Sequence, residues 1–341
     1  MYMNHTKIIE NIINNVYNKT KKTKSGKNAS YIPQLASVDP NIFAISFVGC
    51  DGTIINVGEH NTNISIESIS KVFTFAKAVE ELGSSIVSKK IGNMGSSLPF
   101  NSIIAALLSE THTINPFVNQ GAIATTSLFY KKNKKSFERN ILSNMDNFAN
   151  KKLKLNNKLY LSEKKTNDTN YALAYILNSK ERFYGDVMDT VDVYTKQCSV
   201  MVSSKDLATM ACVFAKGGIH PHTNKKILSQ KTCEFVIRAL TGEGLYEFSE
   251  TWDNKVGPVP AKSGVGGGIF IILPGIGGLA IVSPPLDKFG NSVKGIKAGT
   301  KIVNKILKLH NKITTFCKTN KERTRKSKKR INNKKTKRNK K

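Results

Sequence analysis

The chain has 341 residues, 39% hydrophobic and 8% aromatic, with a formal net charge of +29. Such length and apolar content exclude a disordered polyelectrolyte and allow one large folded domain or two smaller ones. Residues 318–341 hold 14 Lys/Arg against one Glu, so this stretch supplies +13 and leaves +16 for the rest.

Residues 1–30 read as a basic N-terminal segment, with a helix over 8–17 followed by the loop NKTKKTKSGKNAS. The start, MYMNHTKIIENIINNVYN, has no apolar core of a signal peptide. The compact part begins at YIPQLA, residues 31–36. Residues 43–48 and 53–57 form a predicted hairpin about Cys50-Asp51-Gly52, since Asp-Gly suits a tight turn. Residues 65–83 are apolar at Ile69, Val72, Phe73, Ala76, Val79 and Leu82, which is helical spacing, with Gly83 as the stop.

From 84 to about 234 the pattern is mainly helical, over 101–108, 121–129, 170–177 and 207–214. Residues 131–158, rich in Lys and Asn, read as a solvated insert of helix and loop. Strands are expected again from Phe235. The stretch GVGGGIFIILPGIGGLAIVS, residues 264–283, is uncharged over twenty residues. Pro274-Gly275 and Gly277-Gly278 divide it into paired buried strands, 269–273 and 279–282, so it is not taken as a membrane span. A closing helix over 294–310 and a basic, disordered tail over 311–341 complete the chain. Sheet at both ends with helices between predicts an α+β fold: an antiparallel sheet flanked by helices plus a helical subdomain over about 84–234.

Five cysteines, Cys50, Cys198, Cys212, Cys233 and Cys317, are scattered, odd in number and without a C-x-x-C. They predict free thiols in a reducing compartment, so the chain is expected inside the cell, in the cytoplasm. The six histidines show no metal-ligand spacing, and His220-Pro221-His222 reads as a turn. Gly264, Gly266, Gly267 and Gly268 lack the strand–loop–helix order and the G-K-[ST] ending of a phosphate loop. No metal or organic cofactor is expected.

The chemistry centres on Ser68-Ile69-Ser70-Lys71. Ser68 and Lys71 are three residues apart and share a helix face. A serine hydroxyl attacks only when a base takes its proton, and a desolvated lysine amine can do so. Unpaired backbone N–H groups in the first helical turn favour developing negative charge. S-x-x-K alone is a weak signal, because many amphipathic helices carry it in solvent.

Ordered around it are YIPQLASVDP from Tyr31, SIESISKVF from Ser65, PFNSI from Pro99, NPFVNQGA from Asn115, LSE ending at Glu163, YTKQCS from Tyr194, AKSGVGGGI from Ala261 and SPPLDKFGNSVKG from Ser283. Together, over residues 31–297, they resemble the serine-dependent glutaminases, which share the fold of β-lactamases and DD-peptidases. The resemblance implies a single catalytic domain over 31–310 that hydrolyses L-glutamine to L-glutamate and ammonia. It makes Ser68 the nucleophile, Lys71 part of the base system, and Lys262-Ser263-Gly264 the counterpart of the K-[TS]-G strand. It makes Tyr194 and Tyr246 the active-site tyrosines, and the N–H groups of Ser68 and Val265 the oxyanion hole. The matching substrate contacts are Tyr31, Asn119, Glu163 and Asn170. From charge, Glu163 suits the substrate ammonium, while the others can donate to its carboxylate. A homodimer or homotetramer is also implied.

Two positions depart from the family. Glu67 stands where Gln is usual before the nucleophile, and Gln120 stands where Ala is usual. A carboxylate at Glu67, which would touch substrate, leaves open a related serine amidohydrolase with another amide or a β-lactam as substrate. A second alternative is a basic binding protein that has lost catalysis. The tail suits attachment to nucleic acid, an anionic surface or an acidic partner, or nuclear import.

Overall fold

The computed structural model describes residues 2–92, 98–108 and 110–311. It divides into two compact units, Met1–Thr300 and Lys301–Lys341. In the second unit the described residues, 301–311, are helical, with Ile302, Val303 and Ile306 buried. The tail readings fall on 318–341, outside the described residues.

The first unit is built on a five-stranded antiparallel sheet drawn from both ends of the sequence. Strands β1 (Ala44–Gly49) and β2 (Ile54–Gly58) form the expected hairpin. Its turn is fixed by Gly52 at φ 90 and by the Thr53 N–H donating to Asp51 Oδ1 at 3.0 Å. Three short strands follow in the chain, β3 (Ile64–Ser65), β4 (Lys154–Leu155) and β5 (Val200–Val202), and pair in the order β3-β5-β4. The main sheet then resumes with β6 (Ala261–Gly264), β7 (Gly268–Leu273) and β8 (Gly277–Val282), in the order β2-β1-β8-β7-β6. The uncharged stretch is therefore a buried hairpin in the sheet, with Ile271 opposite Leu279. Among the described residues no helix is long and apolar enough to cross a membrane.

The helix Ser204–Ala215 packs on β1, β7 and β8. A capping box at Ser203 and Asp206 starts it. It lies so near β8 that a Cβ at Gly278 would sit 2.1 Å from the Ala208 carbonyl oxygen, so only glycine fits there. Against this layer sits the helix Ser70–Leu82, nearly all buried. Its Phe73 meets Phe148 at 4.9 Å, Phe270 of β7 at 5.7 Å and Phe214 at 6.1 Å between ring centroids. One ring thus ties the helix that follows Ser68 to two other helices and to the sheet.

The expected α+β antiparallel architecture is the one observed, with four local departures. The expected helix over 65–83 begins later: Ser65 pairs with Met201 in β3–β5, Glu67–Ile69 is a 3-10 turn, and the α-helix starts at Ser70. Gly83 does end it, at φ 85. Residues 131–158 are not simply solvated, because the helix Lys134–Ala149 buries Phe137, Ile141, Met145 and Phe148. Helix rather than strand continues past Phe235, in Gln230–Leu240 and Ser249–Val256. The first helix is longer than expected, Tyr2–Lys21, and the closing helix runs over 293–311.

Phe73→Ala removes the ring that joins these layers and should cost about 3–5 kcal/mol. A urea midpoint within error of the parent would show that the other rings hold the core without it.

Candidate active site

Ser68 sits on the 3-10 turn Glu67–Ile69, at the entrance to the helix Ser70–Leu82. The turn is held from both sides. The Ile66 N–H donates to the Val200 carbonyl at 2.8 Å, and the Ser70 hydroxyl donates to the Glu67 carbonyl at 2.6 Å. Gln197 Nε2 donates to the Ser70 hydroxyl at 3.1 Å, tying the turn to the helix Val187–Cys198. Glu67 has φ 50, a region that non-glycine residues rarely occupy.

The edge strand β6 closes on the same turn. A Cβ at Gly264 would lie 2.6 Å from the Ile66 carbonyl oxygen, and one at Gly266 would lie 2.4 Å from that of Ser65. These glycines serve a close backbone approach, which brings Lys262, Ser263 and Val265 to Ser68.

Lys71 is 1% exposed. Its Nζ donates to Asn119 Oδ1 at 2.7 Å and to the Phe117 carbonyl at 3.3 Å, and lies 5.9 Å from the Phe100 ring centroid. Loss of hydration brings its pKa down to about 8, against the opposing pull of Cys198 and Glu67. Lys262 is fully buried, with Nζ donating to the Gly244 and Ser263 carbonyls at 3.0 Å each and lying 4.3 Å from the Tyr246 ring centroid. Burial, then the charge of Lys71, holds the Lys262 amine well below the ordinary lysine range. Among the described residues neither lysine forms an ion pair with a carboxylate.

Tyr246 is the second strained residue, at φ 57. Its phenol reaches the Ser68 hydroxyl and donates to the Ser263 carbonyl at 3.3 Å, and burial pushes its pKa up to about 12. Tyr194, 3% exposed, donates to Asn119 Oδ1 at 3.5 Å, and burial holds its phenol well above the usual range. Asn119 is thus shared by Lys71 and Tyr194, and its own Nδ2 donates to Asn170 Oδ1 at 2.9 Å. Asn170 in turn leans on Asn167, whose Nδ2 donates to Thr195 Oγ1 at 2.6 Å.

Tyr31, Glu67, Ser68, Asn119, Glu163, Asn170, Tyr194 and Val265 line one cavity of about 220 Å³. This is below the roughly 300–1,000 Å³ of drug-sized pockets and suits a small ligand. Of the sequence candidates, Lys71, Tyr246 and Lys262 stand behind this lining: Lys71 against Asn119, Tyr246 against Ser68, and Lys262 against Tyr246. The sequence missed Phe100, Asn167 and Cys198 as site residues. Phe100 and Cys198 lie inside motifs it quoted, PFNSI and YTKQCS, whereas nothing local marks Asn167. Gln120 lies outside the lining, buried with both amide atoms lacking a partner.

A sheet made from both chain ends, with the S-x-x-K turn packed on its K-S-G edge strand, places the chain in the β-lactamase-like fold class. Within that class the chain belongs to the glutaminase family, whose model matches residues 26–311. It is 45% identical over 299 residues to a glutaminase of Colwellia psychrerythraea, covering 88% of this chain and 96% of that one. Glutaminase 1 of Escherichia coli is 40% identical over 289 residues, covering 85% and 93%. Among solved structures, the probable glutaminase YbaS superposes with a TM-score of 0.85 at 39% identity, over 88% of this chain and 96% of that one. The Bacillus subtilis glutaminase YbgJ, in covalent complex with 5-oxo-L-norleucine, gives 0.77 at 25% identity, over 88% and 98%.

Gly264→Ala forces β6 and the Ser68 turn apart. Displacements near 1 Å can cost about 10²-fold in rate, so kcat should fall by that order while the fold survives. Unchanged kcat would mean that the turn is not held by this contact.

Proposed function

We propose that the protein hydrolyses the side-chain amide of L-glutamine to L-glutamate and ammonia through an acyl-enzyme on Ser68. One observation carries this reading: a serine on a strained turn is followed, three residues on, by a buried lysine bonded to oxygen acceptors, among them Asn119 of the Ser68 cavity, and to no carboxylate. That lysine can be neutral near neutral pH, as a base must be.

Ser68 Oγ attacks the side-chain carbonyl carbon, and its proton passes to the neutral Lys71 amine. The N–H groups of Ser68 and Val265 stabilise the oxyanion, whose charge exists only in the tetrahedral state. The Tyr246 phenol gives a proton to the departing nitrogen, which leaves as ammonia. Water then attacks the glutamyl ester, giving a proton to the Tyr246 phenolate, and the Lys71 ammonium returns its proton to Ser68 Oγ as glutamate leaves. Lys262 holds Tyr246 and the Ser263 carbonyl in place. Glu163 receives the substrate ammonium, while Asn119, Asn170 and Tyr31 face its carboxylate. The covalent complex of the related Bacillus subtilis enzyme supports a covalent route.

The homodimer or homotetramer belongs to the same proposal, supported by exposed Ile103, Ile104, Leu107 and Leu108 on one short helix. An intracellular, cytoplasmic setting is supported by the four free thiols among the described residues. The bacterial relatives lend the nuclear reading no support.

Purified protein should release ammonia from L-glutamine, and Ser68→Ala should not. Lys71→Met should lower kcat by about 10²–10⁴-fold, the usual contribution of a general base. Protonated Lys71 cannot accept a proton, so kcat should fall as pH drops below about 8, the value to which burial brings this amine. Full activity in Ser68→Ala, or no ammonia from the parent protein, would sink the proposal.

A further inference from the structure

Glu67 is 4% exposed, and its carboxyl lies close enough to that of Glu163, on the helix Asn157–Lys164, for the two to act on each other. In each, Oε1 is out of water and has no donor among the described residues. Both residues line the cavity that holds Ser68. Two adjacent carboxylates cannot both ionise cheaply out of water, and one proton between them removes the repulsion.

The surroundings offer little compensation. Lys71, from the following helix, acts on Glu67 through space, but neither it nor Lys262 on β6 forms an ion pair with Glu67 or Glu163. The other titratable neighbours are Tyr31, Tyr194, Cys198 and Tyr246, all neutral acids. Burial, only partly offset by Ser65, Glu163 and Lys71, pushes Glu67 up to about 7, and burial with the Glu67 charge raises Glu163 well above its ordinary value.

We propose that Glu67 is the second carboxylate of an ammonium subsite: it shares one proton with Glu163 in the free protein, and the α-ammonium of an amino-acid substrate takes that proton's place. This rests on the amide-hydrolase reading above. An ammonium carries three N–H donors, so it can satisfy both orphaned Oε1 atoms at once. The balance is simple. The shared proton leaves to solvent, and the substrate nitrogen keeps its three hydrogens. The site carries one net negative charge before and after, because the second carboxylate is matched by the ammonium. A glutamine at this position could give the pair no proton to exchange.

The test is calorimetry of L-glutamine binding to Ser68→Ala in buffers of different ionisation enthalpy. Near pH 6 binding should release close to one proton per site, and Glu67→Gln in the same background should release almost none. The parent enzyme's KM should then fall by up to about tenfold per pH unit as pH rises toward the titration of the pair, the slope for one linked proton. The KM of Glu67→Gln should stay nearly flat. As a check without ligand, the infrared carbonyl band of a protonated carboxyl near neutral pH should be present in the parent and lost in both Glu67→Gln and Glu163→Gln.

No proton release, equal release in Glu67→Gln, or no such band in the parent would overturn the pair. If the parent releases ammonia normally under those outcomes, the hydrolase reading survives and only the pair is lost. No ammonia from the parent would instead overturn that reading, and the subsite with it.

Discussion

Two lysine amines lie out of water beside Ser68, held by carbonyl and amide oxygens rather than by carboxylates, and the site depends on that arrangement. An ion pair would have fixed each amine as a cation. Burial with neutral acceptors does the opposite, because desolvation disfavours the charged form. Lys71 shares Asn119 Oδ1 with Tyr194, and Lys262 shares the Ser263 carbonyl with Tyr246. Each lysine is thereby matched to one tyrosine through a common acceptor. Of the two, the set on the sheet edge reaches Ser68 through the Tyr246 phenol, while the set on the helices shares the Ser68 cavity through Asn119 and Tyr194.

Holding such groups dry requires a rigid surround, and the topology supplies it. The Ser68 turn is gripped by β5 through Ile66, by the helix Val187–Cys198 through Gln197, and by β6 and the turn after it through the bare backbones of Gly264 and Gly266. Behind it, Phe73 anchors the helix in an aromatic cluster that reaches two helices and β7. Strands from both ends of the sequence pair at β1–β8, so the sheet cannot form until residues 44–49 meet residues 277–282. The site is completed by long-range contacts, not by any one segment.

That dependence explains what could be read from the sequence. The β1–β2 hairpin, the buried β7–β8 pair and the Ser68 helix have local signals: Asp-Gly, Pro-Gly and a spaced apolar stripe. The start of that helix was misplaced because Ser65 is recruited into a strand by Met201, a partner 136 positions away in numbering. The insert at 131–158 was read by its many lysines, yet Phe137, Ile141, Met145 and Phe148 fall on its inner face. Gly264 reads as the end of a K-S-G strand and Gly266 as one of a glycine run that does not form a phosphate loop; neither reading shows that both let two backbones touch. Asn167 and the meeting of Glu67 with Glu163 depend on helices brought together by the fold, and no spacing announces them.

Glu67 concentrates two separate costs in one residue. Its backbone lies in a region that costs a non-glycine residue about 1–3 kcal/mol, and its carboxyl is buried beside another acid. Glycine would relieve the first and erase the second, but would leave Glu163 alone in the cavity. Glutamine would leave the backbone strain and remove only the charge. A strained turn is fixed by its neighbours, here β5, β6 and the Ser70 hydroxyl, and these hold the backbone, with the Cβ of Glu67 facing Gly264. The scaffold therefore sets where residue 67 stands, and under the proposed subsite the choice between amide and acid sets what that position recognises. On that proposal position and chemistry are decoupled at the residue before Ser68, and an ammonium subsite can be retuned there while β5 and β6 keep the turn in place.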